Sequence, residues 1–334
     1  MSHILDIIIP EYDCPTEFMT RLLDSINKQK NINFKEIGII IINDKSKNKY
    51  KKSWFKQRYP KLNIEYLIKD INEGQGLTRQ YGLDRSEASY VTFIDQDDML
   101  ADNNSLSLVI NQIKTSKEVN RISTCYDEET NIDGKLYRVH YDNSGLLCLH
   151  ALYLRRQFLL DNNIRFSDTI RYHEDVYFTN IINYLTFNSN IFINETTYLW
   201  KWNEKSQVRS DKSIYFHLED FIKAKFESLK FINNITKPDE SFVLANIFTV
   251  YALLASNIVD DDSYKAKKNE FEICFYNNVI EYIELLNKLN NNDIDIFTKI
   301  SLESHYRMCP NMILKESFKD FINRLENTYG NKID

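Results

Sequence analysis

The sequence predicts an α/β protein: a mostly parallel, twisted, doubly wound sheet with helices on both faces over residues 1–210, then an all-helical region over 211–334. Three observations predict it. Short apolar runs alternate with amphipathic stretches through the first hundred residues, as strands alternate with crossover helices in a parallel sheet. Each run stops abruptly at polar or acidic residues. Beyond about residue 210 only the helical period remains.

Taken in order, Leu5–Ile9 is a continuous β-branched run ending at Pro10, as a strand buried on both faces reads. Glu17–Gln29 carries Phe18, Leu22, Leu23 and Ile26 on one helical face. Ile37–Ile42 is a second buried strand ending at Asn43-Asp44, and Ile64–Ile68 a third. Thr78–Arg85 reads as a helix, and Tyr90–Ile94 as a fourth strand ending in Asp95. Of the seven glycines, three (Gly74, Gly76 and Gly82) fall within nine residues, which marks a place where backbones must turn or approach closely. In the C-terminal region, helical stripes run through Leu218, Phe221, Ile222, Phe226 and Leu229, through Phe271–Leu286, and through Leu314–Leu325.

Composition narrows the function. With 48 acidic against 42 basic residues, a net charge of −6 does not suit a protein held on nucleic acid by a broad basic face. The five cysteines stand singly with no Cys-x-x-Cys spacing, so neither a zinc site nor a redox pair is signalled, and reduced cytoplasmic thiols are expected. The apolar N-terminal run is too short for a signal sequence. The most apolar later stretch, Phe242–Val259, is broken by Asn246, Thr249, Ser256 and Asn257 and reads as a buried helix. A soluble cytoplasmic protein, free or peripheral at the inner membrane face, is expected.

In a doubly wound sheet ligands bind beyond the carboxyl ends of the strands. Here those ends carry Pro10-Glu11-Tyr12-Asp13, Asn43-Asp44 and Asp95-Gln96-Asp97-Asp98. Three carboxylates within four residues repel one another, and a divalent cation with its preference for oxygen ligands relieves that repulsion. An acidic turn capping the next helix is the plain alternative, but its position directly after a buried strand favours the metal.

These residues resemble the family 2 glycosyltransferases. Ile7-Ile8-Ile9-Pro10-Glu11-Tyr12-Asp13 is similar to the family's first strand and turn, and Ile40–Ser46 to its second strand with an acidic end. Asn72-Glu73-Gly74 and Arg79-Gln80-Tyr81-Gly82 resemble the stretch before the metal motif, Asp95-Gln96-Asp97-Asp98 stands at the Asp-x-Asp, and His173-Glu174-Asp175 resembles the pair that supplies the catalytic base. The resemblance covers about 175 residues and implies a GT-A fold and inverting transfer from a nucleotide-sugar, a UDP-sugar in the first instance, to an acceptor hydroxyl on a glycan, wall polymer or other substrate. It implies that Pro10, Tyr12 and Asp44 form a slot for the nucleotide base, that Arg79 lies beside the nucleotide and the acidic motif, and that Asp13 and Gly74 also belong to the nucleotide-sugar site. Asp95 would lie near the ribose and the metal, Asp97 would ligate Mn²⁺ or Mg²⁺, and Asp175 would be the catalytic base. Ser206 and Arg209, with Lys205, would bind phosphate from the loop 198–210, although a solvated loop reads equally well there. Alone, Asp175 reads as a helix N-terminal acid. His150 and Arg155-Arg156 fall on the acceptor side, with structural roles the simpler reading.

The chain departs from the family pattern at Glu11, for a small or hydroxyl residue, at Asn43, for an acid, and at Gln80, for Asn. The Gly-rich segment does not follow the first strand, as a nucleotidyltransferase phosphate loop would, and Arg79 interrupts any Gly-x-Gly-x-x-Gly. Two other functions stay open at this level: a phage-type enzyme acting on a protein or a modified DNA base, and a catalytically silent nucleotide-sugar-binding module. The helical region, 211–334, would dock the acceptor or build a homo-oligomer.

Overall fold

Strand β1 (Leu5–Glu11) lies between β2 (Ile37–Asn43) and β4 (Tyr90–Phe93), parallel to both, and β2 carries β3 (Asn63–Ile68) on its other edge, also parallel. This computed structural model describes residues 3–116, 118–142, 149–206, 217–305 and 311–330. Every residue of β1 and β2 is buried, so both faces of the sheet are covered there. The expectation of a buried β3 is corrected. It is the outermost strand of the sheet, where Tyr66 is buried but Ile68 is 43% exposed, since an edge strand has a neighbour on one side only.

The crossover helices are α1 (Thr16–Asn27), α2 (Lys52–Arg58) and α3 (Gln75–Arg85). Gly74, at φ +90°, opens α3 from a conformation that only glycine adopts without strain. Further along α3, a Cβ on Gly82 would stand 2.5 Å from Ile8 Cγ2 and 2.7 Å from Ile42 Cδ1. The helix therefore lies directly on the two central strands, and Arg79 is carried on the same element. Gly82→Ala is expected to destabilise the chain by about 1–3 kcal/mol through overpacking, read from denaturant unfolding. An unchanged midpoint would mean that α3 tolerates displacement from the sheet.

Beyond β4 the sheet is mixed. Its order is β3-β2-β1-β4-β8-β6-β9-β5, with β7 on β6. The added strands are β5 (Met99–Leu100), β6 (Arg121–Ile132), β7 (Lys135–Tyr141), β8 (Leu152–Arg155) and β9 (Asn190–Trp200). Only β6 and β9 pair in parallel among these, while β8 runs antiparallel to both β4 and β6. Helices α4 (Ser105–Thr115), α5 (Arg156–Asp161) and α6 (Glu174–Leu185) complete this part.

The chain divides into two compact units, Met1–Glu204 and Lys205–Asp334. The second contains α7 (Leu218–Ile235), α8 (Glu240–Leu254), α9 (Asp262–Val279), α10 (Ile283–Leu286), α11 (Asn291–His305) and α12 (Phe318–Tyr329), and no strand among its described residues. Its apolar stripes pack on one another: Phe248 stacks on Phe318 at 4.3 Å, and Phe275 lies 5.6 Å from Phe321 and 5.8 Å from Phe226. Leu314 belongs to an isolated bridge with Ser256 and not to the last helix, because Ser317 caps α12 by accepting from the Asp320 N–H. No described helix is long and apolar enough to cross a membrane.

Candidate active site

The carboxyl ends of β1, β2 and β4 bring three loops to one edge of the sheet, where Gln96 and Ser46 tie the first loop to the other two. Gln96 clasps the backbone of Tyr12, accepting from its N–H at 2.8 Å and donating to its carbonyl at 3.1 Å. Tyr12 itself stands 49% exposed on this edge, while Pro10 is buried in β1. Asp13, at φ 42°, donates its N–H to Ser46 Oγ at 2.8 Å, and its carboxylate accepts from the Lys47 N–H at 2.8 Å. The first and second loops are thus fastened to each other and to the acidic segment.

Asp44, expected in the base slot, is buried just past the end of β2. Its buried carboxylate accepts from the N–H groups of Glu73 at 3.1 Å and Gly74 at 2.9 Å, and pairs with Lys69 at 2.9 Å. It holds the turn that opens α3.

From that helix, buried Arg79 donates through Nη2 to Asp95 Oδ1 at 2.7 Å and through Nη1 to Glu174 Oε1 at 2.7 Å. Gln75 adds a hydrogen bond to the same Asp95 oxygen at 2.9 Å. Burial alone would lower the Arg79 pKa, but the Asp95 and Glu174 charges outweigh it and hold the guanidinium firmly charged. Burial likewise favours the neutral form of Asp95, yet Arg79 and then His150 keep its carboxyl well below the usual range. At Glu174 burial and neighbouring Asp175 win over Arg79, and its pKa is raised. Close approach of α3 and α6 permits the bridge: a Cβ on Gly76 would lie 2.6 Å from Glu174 Cγ.

Asp175 sits in the first turn of α6, half-buried, with its Oδ1 accepting from the Val176 N–H at 2.9 Å. His173 before it adopts the left-handed conformation at φ 60°, a costly geometry for a non-glycine residue that turns the chain sharply into the helix.

The three acids of the β4 loop have separate fates. Asp98 is buried and fully used, accepting from the Tyr198 hydroxyl and from the Lys201 N–H at 2.8 Å. Burial, then the charges of Asp97 and Asp95, push its carboxyl far upward. Asp97 accepts from Asn203 Nδ2 at 2.7 Å, and Arg21 holds its main-chain carbonyl. Burial raises the Asp97 pKa, Asn203 opposes this and the Asp95 charge adds to it. His150 Nε2 lies 3.7 Å from Asp95 Oδ2, with its ring stacked on Tyr198 at 4.7 Å.

Asp95, Asp98 and His150 each offer a ligand atom within 4.8 Å of one another. Among the described residues this is the group whose donors suit a hard divalent cation, and Asp97, on the same loop with its Oδ2 accepting from Asn203, lies outside it. Asp97 and Asp98, pushed toward their neutral forms by burial and by the charge of Asp95 beside them, make the environment that a cation relieves.

Sequence reading placed Asp95, Arg79, Asp44 and Asp13 at this edge and underrated Glu174, which makes the contact to Arg79. Gln75 and Gln96 are ordinary polar residues that carry no motif in the sequence, and His150, expected on the acceptor side or in a structural role, stands beside Asp95. Of the loop residues expected at the phosphates, Ser206 falls in the second unit and Arg209 lies outside the described residues.

Comparisons with known proteins agree with this architecture. The profile of glycosyl transferase family 2 matches residues 6–174. The minor teichoic acid biosynthesis protein GgaB of Bacillus subtilis (strain 168) is 33% identical over 103 residues, 30% of this chain and 11% of that protein. A teichoic acid poly(glycerol phosphate) polymerase of Staphylococcus epidermidis is 35% identical over 99 residues, 29% of this chain and 13% of that protein. The matched segments thus span about a tenth of these relatives. Among solved structures, S. aureus TarS 1-349 superposes with a TM-score of 0.66 at 18% identity, covering 99% of this chain and 92% of that one. Its complex with UDP-GlcNAc gives 0.64 at 18% identity, with the same coverage of 99% and 92%. At that identity the likeness establishes a shared GT-A fold. The family match spans the whole acidic edge, from β1 to the glutamate that Arg79 holds, and the chain belongs to glycosyl transferase family 2.

Proposed function

We propose that this glycosyltransferase moves a sugar from a nucleotide-sugar, in the first instance a UDP-sugar, to an acceptor hydroxyl with inversion at the anomeric carbon. The observation that carries this reading is the Arg79 bridge between Asp95 and Glu174, which locks the acidic loop to the helix that bears Asp175. The nucleotide base would stack on exposed Tyr12 in the slot framed by Pro10 and Asp13, with Asp44 and Gly74 supporting its floor. Asp97 and Asp95, with His150, would hold Mn²⁺ or Mg²⁺. A bound divalent cation supplies charge stabilisation for the departing nucleoside diphosphate. Arg79 keeps Asp95 ionised and oriented for ribose and metal alike. Asp175 would take the proton from the acceptor hydroxyl as that oxygen attacks the face opposite the leaving group, so no covalent intermediate forms.

The teichoic acid relatives point to a wall polymer or surface glycan as acceptor. Nucleotide-sugars are cytoplasmic metabolites, so transfer would take place on the cytoplasmic side. The second unit, Lys205–Asp334, would dock the acceptor or join two subunits. A panel of nucleotide-sugars incubated with the protein and Mn²⁺ tests the donor class. Release of nucleoside diphosphate from one or a few donors is expected, since such sites leak to water without an acceptor. Equal silence toward every donor, with no nucleotide bound, would contradict the proposal.

A further inference from the structure

Glu11 ends β1 as a buried carboxyl, 1% exposed, with no lysine or arginine in ion-pair contact among the described residues. Four neutral donors surround it. Asn43 Nδ2 and the Tyr66 hydroxyl at 3.4 Å donate to Oε2, while Ser46 Oγ at 3.0 Å and the Cys14 N–H at 3.1 Å donate to Oε1.

The proton directions in this cluster are set by backbone. The Ser46 N–H donates to Asn43 Oδ1 at 2.9 Å, so the other end of that amide, facing Glu11, must be the NH₂. The Asp13 N–H donates to Ser46 Oγ at 2.8 Å, which turns the single hydroxyl proton toward Glu11. The Tyr50 N–H occupies Tyr66 in the same way at 3.2 Å. A backbone N–H cannot reverse, so the side chain at position 11 meets donors only and must accept everywhere. Glutamine, its nearest isostere, cannot. Two of the positions where the chain departs from its family's usual residues, 11 and 43, are therefore each other's partners.

We propose that the Glu11–Asn43 pair is the positioning device of the nucleotide-base slot, acting through Ser46 and Asp13 on the loops that frame the base and setting base preference without touching the ligand. The inference rests on the nucleotide-sugar reading of the site. Its geometry connects the floor of the slot to both walls: Glu11 to Ser46, Ser46 to Asp13, and Asp13 to Lys47. Burial pushes the Glu11 carboxyl upward, and the four donors pull it back toward the charged form that accepts from all of them.

The test is a residue swap. Glu11→Gln sets an NH₂ against donors, and Asn43→Asp sets a carboxylate against a carboxylate. In the double variant the polarity closes again. The carboxylate introduced at position 43 accepts from the Ser46 N–H and from the amide NH₂ introduced at position 11. The carbonyl of that same amide accepts from Ser46 and Cys14. The Tyr66 hydroxyl, which donates to Oε2 in the wild type, can turn its proton away and accept from the other hydrogen of that NH₂. Calorimetric titration with UDP, CDP and GDP is run on the wild type, both single variants and the double, with unfolding followed in parallel. Each single variant is expected to bind UDP about tenfold or more weakly and to discriminate less among the bases, a loss of about 1.4 kcal/mol or more. The double variant should return to within about threefold of wild type. Folded single variants with wild-type affinity and base preference overturn the proposal, as does a double variant no better than the worse single. Should a single variant fail to fold, the double decides, because the pairing requires it to fold and to bind UDP. A wild type that binds no nucleotide would overturn the donor reading of the site and this inference with it, whereas wild-type binding with unaffected variants sinks the pair alone.

Discussion

Asp175→Asn is expected to leave nucleotide-sugar binding nearly unchanged while transfer falls by roughly 10²–10⁴-fold, the range for a lost general base. The amide keeps the size of the carboxylate and can still accept from the Val176 N–H, so the first turn of α6 has no reason to change. What it loses is the capacity to take a proton. The base belongs on the acceptor side of the reacting carbon, away from the nucleotide, so donor affinity is not at stake. Neighbouring Glu174 is a poor substitute, because its Oε1 is committed to Arg79 at 2.7 Å. Donor titration and transfer rate measured on the same variant separate the outcomes. Weak binding with little loss of turnover would make Asp175 a donor-side residue. Intact turnover would pass the proton to another group.

Arg79→Met is expected to affect folding and binding together. The guanidinium satisfies two carboxylates from different elements, one on the β4 loop and one on α6, and all three groups are largely removed from water. Removing the shared cation strands Asp95 and Glu174 as uncompensated like charges, which typically costs about 3–5 kcal/mol. Arg79→Lys should recover only part of this, because a single ammonium cannot bridge two acceptors with the reach of a planar fork. Denaturant unfolding with and without UDP reads both effects. A methionine variant as stable as wild type would show that the bridge is dispensable.

The parallel half of the sheet was legible because β1 and β2 are buried on both faces and therefore read as unbroken Ile runs. The mixed half was not. β6 passes from fully buried at Arg121–Tyr126 to half-exposed at Ile132, so its 12 residues follow neither a continuous nor an alternating pattern. β8 has four residues and β5 two, too few for a period to register. α2 is short and rich in Lys and Arg, with Phe55 its one buried residue.

At the site, residues on strand ends could be found because the topology of the fold points to them. Partners distant in sequence could not. Glu174 reaches Arg79 across 95 residues, and Asn203 reaches Asp97 across 106. Glu11 and Asn43 each looked like an isolated departure until their contact joined them.

The central claim is that the acidic loop after β4 supports metal-dependent use of a nucleotide-sugar, and Asp97 tests it most directly. Its side chain stands in the loop after β4 instead of filling the core, and Asn at this position keeps the shape needed beside Asn203. Nucleoside diphosphate release from the preferred nucleotide-sugar is measured for wild type and Asp97→Asn, each chelated and then titrated with Mn²⁺. The account predicts that wild-type release is abolished by chelation and restored by Mn²⁺, while the folded variant stays near background at every metal concentration. Release by Asp97→Asn at the wild-type rate with the same Mn²⁺ requirement would contradict it.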